Sequence, residues 1–159
     1  LGPFCLGWLE EPLRADRPGD EWRRLAAAAP MPLAAGENVQ GDDAFDALIA
    51  SGSLGVVQPD LAKWGGPSAA IGVAERIVAA GLRWCPHYLG GGIGLLASAH
   101  VLAARGGPGR WLEVDVNENP LRTLLCPPLA GLHDGTIALG DAPGLGVDVD
   151  LAALRSLCT

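Results

Sequence analysis

The chain has 159 residues, 49% of them apolar and only 5% aromatic, and carries a formal net charge of -7. This size and apolar content suit one ordinary domain with a sizeable core and exclude a disordered chain. The acidic balance, with no cluster of Lys and Arg, excludes a surface built to grip nucleic-acid phosphates and favours a cation as partner.

Apolar periodicity along the chain repeats one unit, a short apolar strand followed by a loop and an amphipathic helix. Leu6 to Leu9 reads as a strand, and Gly19 to Ala29 as a helix ended by Pro30. Pro32 to Gly36 is the next strand. The helix from Asp42 to Ser51 follows, with Asp42 or Gly41 at its cap and Gly52 just past its end. Leu54 to Gln58 is a third strand, followed by a helix from Pro67 or Ser68 to Ala80 that Gly81 closes. Leu82 to Cys85 is a fourth strand, Gly94 to Arg105 a fourth helix and Arg110 to Val114 a fifth strand. Strands apolar on both faces, alternating with Ala-rich helices, predict an α/β fold with a parallel sheet and helices outside. Beyond Glu118, prolines and glycines predict loops and a small hairpin, and a last helix from Leu151 to Leu157 is capped by Asp150. The units thus occupy residues 1–117 and a closing segment 118–159.

Cys5, Cys85, Cys126 and Cys158 are widely spaced, mostly in apolar strings, and read as reduced core residues of a cytosolic protein. The longest apolar runs fall short of the roughly 18 to 20 residues of a membrane span, and no basic segment precedes an apolar one at the start. A soluble, untargeted protein with neither membrane nor nucleic-acid partner is expected. The chain opens on Leu1 and runs at once through an apolar string into Glu10-Glu11-Pro12, which reads as a piece of something longer.

An ionisable side chain recurs after each strand: Glu10, Glu37, Asp60 and His87, then Glu113 within the fifth. The intervals of 27, 23, 27 and 26 residues repeat once per unit. In a parallel barrel the carboxyl ends of all strands converge on one face, so these five groups would share one pocket. Gathered carboxylates repel one another unless a cation sits among them, and hard oxygen ligands suit Mg²⁺. Glu10 and Glu37 are the candidate metal ligands. His87 needs a carboxylate to fix its tautomer, and Asp60 on the neighbouring strand is placed to form a general-base dyad with it. A metal withdrawing charge from a substrate carboxylate makes the adjacent proton removable. Glu113, kept protonated, would donate a hydrogen bond to the developing oxyanion.

Trp8-Leu9-Glu10-Glu11-Pro12, Gly36-Glu37-Asn38, Gln58-Pro59-Asp60-Leu61-Ala62-Lys63-Trp64-Gly65-Gly66, Pro86-His87 and Leu112-Glu113 together resemble the mandelate racemase-like branch of the enolase superfamily. The tail from Asp134-Gly135 to Gly146 is similar to the family's closing segment. The Asp-His pair is what separates this branch from the muconate-cycloisomerase-like one, which uses a lysine on the sixth strand. The resemblance implies that the chain is the C-terminal part of a (β/α)8 barrel, strands four to eight with their helices. By it, an N-terminal capping domain, three earlier strands, a lysine base and an aspartate metal ligand lie outside these residues. It further implies a Mg²⁺-dependent enzyme acting on a small carboxylate, as a homo-oligomer when full length. Dehydration of an acid sugar or related 2-hydroxy acid is the first expectation. Racemisation or epimerisation is the alternative, and a non-catalytic remnant a third reading. The fragment alone is expected to bind metal weakly, turn over little and associate through an open, apolar barrel edge.

Plainer readings apply to other residues. Glu11 is expected as a surface or supporting partner of Glu10, His100 as a packed histidine and His133 as exposed. Lys63 reads equally as an active-site contact or a simple salt bridge. Gly92-Ile93-Gly94 loosely fits a dinucleotide turn but does not directly follow its strand. Cys85 and His87 lack further ligands at zinc spacing.

Overall fold

Four short strands pair in parallel in chain order in the computed structural model, which describes residues 2–105 and 109–157. They are β1 (Leu9–Glu10), β2 (Leu33–Ala35), β3 (Val56–Val57) and β4 (Arg83–Trp84). Leu9 is level with Leu33, Ala34 with Val56, and Val57 with Trp84. Each strand leads into a helix: α1 (Gly19–Ala28), α2 (Asp42–Ala50), α3 (Gly66–Ala79) and α4 (Gly92–Arg105). The helix ends follow the sequence punctuation. Gly41 precedes α2, Pro67 sits in the first turn of α3, and Gly52 and Gly81 take positive φ just beyond α2 and α3.

Side chains alternate across a strand, and this sorts the sheet into two apolar faces. Leu33, Ala35, Val57 and Trp84 pack outward with Trp22, Phe45, Val73, Ile77 and Leu102 of the helices. Ala34, Val56 and Cys85 form an inner cluster against which Trp8 packs. Burial on both faces is what a parallel sheet with external helices requires. Although β1 and β4 are the outer strands, Arg83 Nη2 donates to the Gly7 carbonyl at 3.0 Å, and its guanidinium lies 5.6 Å from the Trp8 ring. The sheet therefore curls enough for one long side chain to span its inner face between the two outer strands.

The expected fifth strand departs from the reading. Arg110–Val114 forms no strand ladder among the described residues. The segment lies beside β4 through other contacts: Cys85 Sγ is 3.9 Å from the Gly109 carbonyl, and the Tyr88 amide donates to Glu113 Oε2 at 3.1 Å. With support on one side, Trp111 stays 58% exposed. The tail holds more helix than expected. Asn119 caps α5 (Pro120–Leu125), a 3-10 turn spans Pro127–Gly131, and the hairpin is reduced to one antiparallel bridge between His133 and Thr136. Pro120 begins α5, where its missing amide donor costs nothing, rather than breaking it. Asp150 Oδ1 accepts from the Ala152 and Ala153 amides and caps α6 (Leu151–Arg155).

Cys85 and Cys126 are buried free thiols, but Cys5 is exposed and so no core residue; Cys158 lies outside the described residues. The α4 glycines permit close packing. A Cβ on Gly92 would come within 2.3 Å of the Leu125 carbonyl carbon, and one on Gly94 within 2.3 Å of the Tyr88 ring. Among the described residues no helix is long and apolar enough to cross a membrane.

Candidate active site

The inner-face alternation carries on past the strand ends. Glu10 follows Trp8 by two residues, Gln58 follows Val56, and His87 follows Cys85, so all are delivered to the concave side. Asp60, two beyond Gln58, closes a turn: its Oδ1 accepts from the Ala62 amide at 2.8 Å and the Lys63 amide at 3.1 Å. Its Oδ2 lies 2.8 Å from His87 Nδ1, and both side chains are buried. Nδ1 held against a carboxylate leaves Nε2 as the ring atom able to exchange a proton. Nε2 lies 3.1 Å from Glu37 Oε2.

Glu37 does not follow the alternation, since Ala35 points outward and Glu37 two residues later would do the same. Gly36 at φ 137° redirects the chain, and a Cβ there would come within 3.0 Å of the Gln58 amide nitrogen. Glu37 Oε1 accepts from Lys63 Nζ at 3.0 Å, and Lys63 also reaches Asn38 Oδ1 at 3.3 Å. Lys63 thus forms its salt bridge with a site residue, which unites the two readings open for it. Both hydrogen bonds to Glu10 fall on Oε2, from Trp8 Nε1 at 3.2 Å and Gln58 Nε2 at 2.7 Å.

Burial pushes the Glu113 carboxyl above its ordinary range; the Tyr88 amide and His87 oppose the shift, while Glu10 and Glu37 add to it. Glu11 is also raised, by burial first and then by the charges of Glu37 and Glu10. Its Oε1 is buried without a hydrogen-bond partner, and its φ is 37°. A cavity of about 230 Å³ is lined in part by Trp8, Glu10, Gln58, Cys85, Trp111 and Glu113.

The five expected residues therefore fall into two linked groups. Asp60, His87 and Glu37 touch in series, whereas Glu10 and Glu113 line one cavity. The charges of Glu10 and Glu37 both act on Glu113 and on Glu11. Sequence reasoning missed Gln58 as a site residue, and the signal that could have found it is its place between inward Val56 and Asp60. Cys85 turns its Sγ to the Gly109 carbonyl, and burial pushes its thiol pKa up, against the thiolate form a nucleophile needs. His100 is half-buried on α4 with Nε2 3.4 Å from the Leu145 carbonyl, and the His133 side chain is 85% exposed.

Among the described residues, no group of three or more His, Cys, Asp or Glu side chains is gathered closely enough to hold a metal ion. Two carboxylates with oxygen donors, beside the orphaned oxygen of Glu11 and two carboxyls raised partly by their neighbours' charge, fit part of a site for an oxygen-seeking cation.

A family model described as enolase C-terminal domain-like matches residues 1–153. A crystal structure of a mandelate racemase/muconate lactonizing enzyme from Bordetella bronchiseptica is similar with a TM-score of 0.95 and 65% identity, over 99% of this chain and 44% of that one. A D-galactarolactone cycloisomerase of Agrobacterium fabrum is 31% identical over 95% of this chain and 42% of its own length. A D-galactonate dehydratase of Xanthomonas euvesicatoria is 32% identical over 98% and 42%. The chain spans about four tenths of the length of these curated relatives.

Proposed function

The chain belongs to the enolase C-terminal domain-like family of mandelate racemase/muconate lactonizing enzymes, and from this premise we propose that it is part of an acid-sugar dehydratase. It supplies the C-terminal part of a (β/α)8 barrel, β1 to β4 as strands four to seven and Arg110–Val114 in the place of the eighth, with the earlier strands and a capping domain contributed from outside these residues. The reaction begins by removing the proton on the carbon beside a carboxylate and ends with loss of the β-hydroxyl. The observation that carries this reading is the buried Asp60–His87 contact of 2.8 Å, with His87 Nε2 turned toward the carboxylate cluster.

Glu10 and Glu37 would hold a divalent ion such as Mg²⁺, which when bound draws charge from the substrate carboxylate. His87 exchanges the proton at Nε2, and does so only when Glu37 Oε2 releases that atom. Asp60 holds Nδ1, keeping the ring's tautomer and angle through the transfer. Glu113, when protonated, would donate a hydrogen bond to the oxyanion that forms on the substrate, and its burial favours the protonated form. The relatives named as a sugar-acid dehydratase and a sugar-lactone cycloisomerase support the substrate class.

The test incubates the full-length protein with a panel of acid sugars in deuterated water. A 2-keto-3-deoxy acid product is expected, with His87→Asn reducing turnover by at least about 10²-fold, the low end of a general acid–base contribution. Solvent exchange with inversion at the α-carbon and no keto product would replace dehydration by epimerisation.

A further inference from the structure

Glu10 ends β1, and a glutamate carboxylate at a strand end samples several rotamers unless something fixes it. Two donors converge on its Oε2, and the shorter bond, 2.7 Å, comes from Gln58. Gln58 is 4% exposed. Its backbone N–H donates to the Ala35 carbonyl at 3.0 Å, Gly36 lies against its backbone, and Pro59 follows it. The donor is therefore anchored in the sheet.

We infer that Gln58 is a positioning residue for Glu10, holding the carboxylate in the orientation that receives a divalent cation. This rests on the metal reading of Glu10 proposed above. Gln58, Asp60 and Lys63 then act as one strip: in six residues, the end of β3 and its turn fix Glu10, His87 and Glu37 respectively. Hydrogen-bonded partners of metal ligands commonly govern affinity by 10- to 100-fold. A merely structural glutamine would change stability and leave affinity alone.

The test measures Mg²⁺ binding by calorimetry, with the metal alone and no substrate, on the full-length protein and on Glu10→Gln, Gln58→Met and Gln58→Asn. Gln58→Met removes the donor at similar volume; Gln58→Asn keeps the amide but withdraws it from reach, and decides the matter should the methionine variant not fold. Glu10→Gln is expected to lose Mg²⁺ binding, and the folded Gln58 variants to weaken it by about 10- to 100-fold. Gln58 variants that bind Mg²⁺ as the parent does, while Glu10→Gln does not, overturn the positioning role alone. Unchanged binding in Glu10→Gln overturns the metal reading and the inference with it.

Discussion

Burial, more than any neighbouring charge, raises the Glu113 carboxyl above its ordinary value of 4.5. For an acid whose pKa is higher folded than unfolded, stability is fully present below the unfolded pKa and is lost as pH rises through the folded one. Glu113→Gln removes that loss. In metal-free buffer the thermal stability of the variant should therefore gain on the parent as pH rises from about 4.5 toward neutrality, and a difference constant with pH would contradict it. All five expected site residues were legible because each ends or lies within an apolar strand, four of them at the parity of the inner face and Glu37 through the turn at Gly36. Gln58 was not, since a neutral amide among apolar residues carries no charge signal, and its role appears only with its 2.7 Å bond to Glu10.

At the scale of elements, one glycine decides where β2 sends its functional side chain. Alternation alone would put Glu37 on the helical face with Ala35; Gly36 at φ 137° turns it toward His87. Gly36→Ala combines a left-handed backbone with a 3.0 Å approach to the Gln58 amide, and should cost on the order of 1–3 kcal/mol in denaturant unfolding of the full-length protein. A loss below about 0.5 kcal/mol, the size of an ordinary surface substitution, would show that the backbone relaxes freely there. All four βα units were readable from periodicity, with strands shorter than expected; β1 begins only at Leu9 and runs one residue further toward the site, to Glu10. Arg110–Val114 has the apolar pattern of a strand but is held by side chains, and pattern does not report whether a neighbour is available. In the same way α5 was hidden among prolines, because Pro120 starts a helix there.

At the scale of the molecule, the curled sheet presents a concave face with carboxylates at its rim and apolar residues at its ends, among them Phe4 at 65% and Trp111 at 58% exposure. The barrel class and the convergence of strand ends were legible from spacing, because a repeated βα unit repeats its geometry, and the family from the resemblance of the motifs that stand at those strand ends. The identity of the substrate was not, since carboxylates and one histidine at the strand ends do not distinguish one acid sugar from another. The account depends on the strand ends of one barrel mouth gathering around a single divalent ion. Mn²⁺, a hard cation that takes the oxygen-ligand sites of Mg²⁺ and scatters anomalously, locates such an ion in crystals of the full-length protein. One anomalous peak within about 2.0–2.6 Å of carboxylate oxygens of both Glu10 and Glu37 is the expected result. A peak that leaves either glutamate uncoordinated, or no peak at this face, would contradict it.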